Sequence, residues 1–305
     1  MLKRFEGNPI LKPTFEHPWE SRMVFNTAAI YLEGKVHLLY RARGVNGGIS
    51  RFGYASSPDG FHIEERQDKP VFCPQVDNDF ECLGVEDPRL TRFEDRIYLL
   101  YTAYGLVPEI NRRVQSIQIG MTSIKVDDFL SHNWNWGGRI YPFPRVENKD
   151  AFLFPEKINH KWVLYHRISP YIWISYSENL KEWNNAKILM KPKFNWEYYK
   201  IGVGGPPHKT EKGWLFVYHA VDREFNYQLG MAMTDISDPG KIIWRYNQPV
   251  LFPKEGYEKH GEVPNVTFTC GSVVIDGTLF VYYGGADTVI CLATASIDDI
   301  LKEVV

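Results

Sequence analysis

KVHLLYRAR (35–43), RIYLLYTAY (96–104), KWVLYHR (161–167), GWLFVYHAVD (213–222) and TLFVYYGGAD (278–287) are five versions of one element. Each is rich in Val, Leu, Ile and Tyr, and each follows a turn signal: Glu33-Gly34, Glu94-Asp95, Asn159-His160, Glu211-Lys212 or Asp276-Gly277. Such runs read as the second strands of β-hairpins. A third alternating strand follows each one, at RFGYASS (51–57), SIQIGMTS (116–123), IWISYS (172–177), LGMAMTD (229–235) and ICLATAS (290–296). The units recur every 52 to 65 residues, more than a minimal propeller blade needs, so the excess is read as elaborate loops.

The outermost segments settle the topology. KPVFCP (69–74), GRIYPFP (138–144), AKILMKP (186–192) and QPVLFP (248–253) close the first four units, while the fifth has none and NPILKP (8–13) stands alone near the N-terminus. A spare outer strand at one end and a missing one at the other fit ring closure, which removes the sheet edge. A β-sandwich with irregular strands would leave that match unexplained. The expectation is an all-β, five-bladed β-propeller, one domain over residues 1–305, closed by the N-terminal strand completing the last blade.

Composition narrows the function classes. The 305 residues are 44% hydrophobic and 15% aromatic, enough for a large core. Lys plus Arg at 35 against Asp plus Glu at 37 supplies no footprint for a polyanion, so no nucleic-acid partner is expected. The sequence has no run of 18 apolar residues and no apolar signal core at Met1–Phe5, so no membrane partner and a cytoplasmic location are expected. Cys73, Cys82, Cys270 and Cys291 have no metal-ligand or disulfide spacing, so neither a metal nor a cofactor is expected.

In a propeller, polar residues at equivalent places on the inner strands of several blades converge on one axial pocket. Near the start of the first strands stand Asn26, Asp87, Lys149 with Asp150, Lys200 and Asn265; at the ends of the second strands stand Arg41, Tyr104, Arg167, His219 and Asp287. Carboxylates beside several cations suit acid-assisted bond cleavage with a held anion. Asp87 lies in GVEDPRL (84–90), where Pro88 stiffens the backbone; its neighbour Glu86 is expected to point to the opposite face by strand alternation. An ordinary Asp-Pro turn is the competing reading. Arg167, Lys200 and His219 come from successive blades, and without equal acidic compensation their convergence calls for an anion such as phosphate; separate rim salt bridges are the alternative. NWNWGG (133–138) is a candidate loop at the funnel mouth or inter-blade packing.

The segments VFNTAAI (24–30), YRARG (40–44), SRFGYASSPDG (50–60), GVEDPRL (84–90), NKDAFLFPEKI (148–158), HRISP (166–170), KIGVGGPP (200–207), VYHAVD (217–222), VPNVTF (263–268) and YYGGAD (282–287) resemble the β-mannoside phosphorylases of glycoside hydrolase family 130. The resemblance implies a five-bladed propeller that cleaves β-mannosides with inorganic phosphate as co-substrate and with inversion, releasing α-mannose 1-phosphate. It implies Asp87 as general acid, its proton passing through the mannose 3-hydroxyl. Asn26, Thr27, Arg41 and Asp287 are implied at the mannose, and Arg167, Lys200, His219, Lys149 and Tyr227 at phosphate. Lys149 and Asp150 stand where some members carry Arg and Asn; Lys149 keeps the cation, whereas Asp150 departs from the pattern and leaves its own contact with phosphate open. The stretch 125–145 is expected to reshape the acceptor site, and a homo-oligomer is implied.

Two other readings stay in view. An inverting β-mannosidase needs a carboxylate base opposite the acid, for which Glu197, Glu224, Glu258 and Glu262 are candidates. A non-catalytic mannoside-binding propeller needs aromatic platforms but no cation cluster. Neither the β-1,2 nor the β-1,4 linkage follows from the residues.

Overall fold

Three of the five turn signals close as two-residue hairpins with positive φ at both central positions: Glu33-Gly34, Asn159-His160 and Asp276-Gly277. That is the type I′ geometry whose twist matches paired strands. The computed structural model describes residues 1–45, 48–144 and 146–304. After β1 (Lys3–Arg4), blade I holds β2 (Met23–Leu32), β3 (Lys35–Arg43), β4 (Arg51–Ser57) and β5 (Glu65–Arg66). Blade II holds β6 (Gly84–Phe93), β7 (Arg96–Glu109) and β8 (Arg112–Lys125), and blade III β9 (Lys149–Leu153), β10 (Trp162–Ile168), β11 (Tyr171–Ser177) and β12 (Asn184–Met190). Blade IV holds β13 (Lys200–Val203), β14 (His208–Lys209), β15 (Trp214–Val221), β16 (Tyr227–Thr234) and β17 (Ile242–Arg245). Blade V holds β18 (Thr267–Ile275), β19 (Thr278–Gly285) and β20 (Val289–Ser296), with β1 paired to β20 as its fourth strand. This is a five-bladed β-propeller closed by its N-terminal strand.

The outer strands differ from expectation in position. Lys3 and Arg4 pair with Thr294 and Ala293, while NPILKP contributes only a bridge from Leu11 to Ile290. KPVFCP, GRIYPFP and QPVLFP are likewise reduced to the bridges Phe52–Phe72, Met121–Ile140 and Leu229–Leu251. The prolines in these segments lack an N–H, so they cannot sustain a ladder. Only AKILMKP overlaps a full outer strand, β12.

Apolar layers separate neighbouring blades. Leu39, Phe52, Val85 and Leu99 lie between blades I and II; Met121, Leu153 and Leu164 between II and III; Tyr165, Trp214 and Phe216 between III and IV. Val217, Met231, Leu279 and Val281 lie between IV and V, and Leu38, Val273 and Phe280 close the ring between V and I. At the axis the inner strands meet backbone to backbone: a Cβ on Gly271 would stand 2.2 Å from Ala29 N.

A buried Glu–Tyr–Arg clamp recurs in four blades, and the sequence reading missed it. The hydroxyl of Tyr40 donates to Glu20 at 2.8 Å, Tyr101 to Glu81 at 2.8 Å, Tyr218 to Glu197 at 2.6 Å and Tyr283 to Glu258 at 2.8 Å. An arginine from the outer strand or its equivalent pairs with the same carboxylate: Arg66, Arg139, Arg245 and Arg4 respectively. All four glutamates are fully buried. Each clamp ties the loop entering a blade to that blade's second and outermost strands.

The stretch after β8 forms α1 (Val126–Leu130) and then packs against blades I and II: Trp134 lies 5.1 Å from the Tyr54 ring, and Trp136 donates to Val71 O at 3.0 Å. These are inter-blade contacts; further along the stretch expected to reshape the acceptor site, Phe143 stacks on His166 at 4.7 Å, and Arg145 lies outside the described residues. A second elaboration is a ribbon: β7 and β8 run on past Tyr104 and Ser116 to the tip at Ile110, which is 91% exposed. Among the described residues no helix is long and apolar enough to cross a membrane.

Candidate active site

Three innermost strands carry the same irregularity at the same height. In β2 two residues, Asn26 and Thr27, oppose Tyr40 alone; in β6 Asp87 and Pro88 oppose Tyr101; in β9 Asp150 and Ala151 oppose His166. These are β-bulges, and their first residues have φ of 47°, 52° and 52°. Asn and Asp tolerate the left-handed region better than other non-glycine residues, because their short polar side chains bond locally. Each bulge re-aims its side chain, so the polar residues cluster on the axis. The strict alternation expected to separate Glu86 from Asp87 is broken there: one guanidinium, that of Arg41, pairs with both carboxylates.

Asp87 is buried and tightly held. Asn26 Nδ2 donates to its Oδ1 at 2.9 Å, Arg41 Nη1 lies 3.1 Å from the same oxygen, and Arg89 Nη1 donates to the Asp87 carbonyl at 2.8 Å. Arg41 is fixed in turn by Ser50 Oγ at 3.0 Å and by the Phe25 ring at 4.7 Å. Burial would raise the Asp87 pKa, but Arg41, Lys149 and Arg89 outweigh it and hold the carboxyl below its ordinary value. Asp287 behaves oppositely: burial, assisted by Asp87 and Glu86 against Arg41 and Lys149, pushes it up to about 7. Two carboxyl groups of one pocket thus sit on opposite sides of the usual range, Asp87 ionised and Asp287 held toward its neutral form.

The cation cluster differs from expectation. Arg167, Lys200 and His219 do converge, but Asp150 stands among them: its Oδ2 is 2.7 Å from Arg167 Nη1 and 3.3 Å from His219 Nε2, and its Oδ1 accepts from Arg89 Nη2 at 3.2 Å. Arginine pairs and His219 overcome the cost of its burial and hold Asp150 well below the carboxylate range. Burial pushes His219 down to about 4, leaving a neutral imidazole at pH 7. Lys200, also lowered by burial and by Arg167, lies 5.3 Å over the Tyr227 ring. The group is therefore partly compensated from within, by a carboxylate counted only as a departure from the pattern. Gly202 makes room for it, since a Cβ there would come within 2.6 Å of both His219 Nε2 and Asp150 Oδ2.

Arg89 is the site residue the sequence reading missed. It is fully buried on the axis and donates to the carbonyls of Asp87, Val203 and Gly204 as well as to Asp150. Its signal was a charge two places after Asp87, on the same inner strand. Thr27 departs in the other direction: it is fully buried and its hydroxyl is directed to the carbonyls of Ala28 and Leu39, so it does not present itself to a sugar. The side chains of Tyr104 and Asn265 make no hydrogen bond among the described residues; the Asn265 carbonyl accepts from Tyr227 N at 3.0 Å.

Three of the four glutamates weighed as hydrolytic bases are paired elsewhere. Glu197 and Glu258 belong to the clamps, each also accepting from two backbone N–H groups, at 2.7 and 3.0 Å. Glu262 pairs with Arg22 at the surface, whereas Glu224 gives only its backbone N–H to Asp222 Oδ1, at 3.0 Å. A cavity of about 610 Å³ opens at the far ends of the inner strands, by Ile30, Leu90 and Val274, and includes none of the axial polar residues.

The fold and this pocket together define a glycoside-cleaving propeller. The glycoside hydrolase family 130 model, described as beta-1,4-mannooligosaccharide phosphorylase, matches residues 1–305, and the chain belongs to that family. It is 44% identical over 308 residues to a 1,2-beta-oligomannan phosphorylase of Thermoanaerobacter sp. (strain X514), covering 98% of each chain. It is 43% identical to a beta-1,2-mannobiose phosphorylase of the same organism, covering 96% of each. The structure of beta-1,2-mannobiose phosphorylase from Listeria innocua in complex with beta-1,2-mannobiose superposes with a TM-score of 0.83 at 26% identity, covering 99% of each chain.

Proposed function

We propose that this protein is an inverting β-mannoside phosphorylase acting on β-1,2-linked manno-oligosaccharides, with inorganic phosphate as nucleophile and α-mannose 1-phosphate as product. Phosphorolysis of β-mannosides rests on the family and on the names of its relatives. The β-1,2 linkage is favoured over β-1,4 by the two relatives above 40% identity, both named for it.

The observation that carries the reading is the division of the pocket into an acid side and an anion side. Asp87, held by Asn26 and Arg41, is the general acid, with Arg41 and Asp287 at the mannose. Arg167, Lys200, Lys149, His219 and Tyr227 hold phosphate, Arg167 offering a planar fork and Lys200 a point charge. Phosphate is already an anion, so no base is needed; an inverting hydrolase would need a carboxylate to activate water. Three of the four glutamates considered for that task, Glu197, Glu258 and Glu262, are paired elsewhere. Of the cations that keep Asp87 ionised in the free protein, Lys149 is engaged by phosphate when it enters. Its negative charge then raises the Asp87 pKa, and the acid acquires its proton with the nucleophile in place. A cytoplasmic location is part of this reading.

The test incubates the protein with β-1,2- and β-1,4-mannobiose, with and without phosphate. Phosphate-dependent mannose 1-phosphate from the β-1,2 substrate is expected. Free mannose formed equally fast without phosphate would overturn the reading.

A further inference from the structure

Asp150 has a geometry that compensation alone does not require. It is 1% exposed and set by its bulge with φ of 52°. Its Oδ1 is satisfied by Arg89, but Oδ2 has no hydrogen-bond donor among the described residues. Arg167 Nη1 is 2.7 Å away but off the line of an N–H bond. His219 Nε2 faces both an Arg167 N–H at 3.4 Å and Oδ2 at 3.3 Å. Where Nε2 accepts from Arg167 it carries no proton for Asp150, and where it donates to Asp150 the carboxylate oxygen keeps a further lone pair. A buried carboxylate oxygen with unused acceptor capacity thus lies directly beneath Arg167, the side chain proposed to engage phosphate. Drawing that guanidinium toward an incoming anion uncovers Oδ2.

We propose that Asp150 is a specificity-determining residue that selects protonated oxyanions, its Oδ2 accepting the P–OH of phosphate and repelling sulfate, which has no proton to donate at neutral pH. The inference rests on the phosphate site proposed above. Phosphate near neutrality always keeps at least one P–OH, with the second ionisation near pH 6 to 7. Sulfate offers the same shape and charge but only acceptors, so it sets lone pairs against a carboxylate in a buried site. The arginines attract either anion; only the carboxylate distinguishes them.

The test follows phosphorolysis of β-1,2-mannobiose at fixed ionic strength while sodium sulfate is varied against phosphate. In the native protein sulfate is expected to leave the apparent KM for phosphate unmoved. Asp150→Asn, which can donate as well as accept, is expected to make sulfate a competitive inhibitor, its Ki falling roughly tenfold or more, the scale of a hydrogen bond to a charged group. A merely structural role would weaken both oxyanions alike. Sulfate competing with phosphate in the native protein would overturn the proposal, and so would an Asp150→Asn variant that folds yet excludes sulfate as before. If that variant fails to fold, the native measurement decides alone. Arg167→Lys separates the two readings: an unchanged KM for phosphate in that variant places phosphate elsewhere and removes both.

Discussion

Asn26, Asp87 and Asp150 show how a single residue type exploits a backbone irregularity. Their left-handed conformations carry strain that a regular strand would avoid, and the strain buys a convergence no straight strand can deliver. Asp87→Asn keeps the shape and the contacts to Arg41 but removes the proton; phosphorolysis is expected to fall about 10²- to 10⁴-fold in kcat/KM, measured as mannose 1-phosphate release. Asp287 makes a prediction about stability. Burial raises its pKa from 3.8 to about 7, so the folded state binds this proton more tightly than the unfolded chain does. Its contribution is therefore complete at acid pH and is lost as pH rises through 7. Asp287→Asn is expected to shrink the fall in Tm between pH 5 and pH 8 in calorimetry, and an identical fall in both proteins would remove Asp287 as its cause.

At the scale of elements, the repeated clamp separates stability from chemistry. Glu197→Gln and Glu258→Gln each remove a fully buried carboxylate from a half-buried arginine. Breaking such a pair costs about 3 kcal/mol, a fall in Tm of roughly 5 °C or more for a chain of this size. The same variants are expected to retain kcat, since neither carboxylate lies among the axial groups. A loss of turnover with an unchanged Tm would return Glu197 or Glu258 to the role of base. Blade III shows the clamp is replaceable: where blades I and II place the clamp Tyr opposite the bulge, it has His166, bonded to Asn148 at 3.1 Å and Ser175 at 2.9 Å.

For the whole molecule the ring is the decisive object. β1 supplies only Lys3 and Arg4 to blade V, but Arg4 bonds Glu258 at 2.7 and 2.8 Å, and Asn8 both donates to Leu292 O and accepts from Leu292 N at 2.8 Å. The two ends of the chain are joined by a latch more than 250 residues apart in sequence. Deleting residues 1–7 is expected to lower Tm well beyond the effect of Arg4→Ala and to expose the β20 edge, seen as concentration-dependent light scattering. Unchanged melting and scattering after that deletion would mean blade V closes without β1.

Much of this was legible in the chain. The five hairpins, the count of blades and the closing role of the N-terminus follow from local information, because strand periodicity and turn chemistry are properties of neighbouring residues. Asp87, Arg41, Arg167, Lys200 and His219 were likewise visible, as polar interruptions at equivalent points of an apolar repeat. What tertiary structure alone decided depends on distances between blades. Glu197 and Glu258 looked available as bases until Tyr218, Tyr283 and their arginines closed on them. Thr27 adjoined a site residue, but its hydroxyl turned to the backbone. Asp150 stood in the sequence as a mismatched carboxylate, and only the bulge in β9 set it between Arg89, Arg167 and His219. A sequence specifies which groups are charged; how those charges offset one another is a function of separation and burial, and both are products of the closed ring.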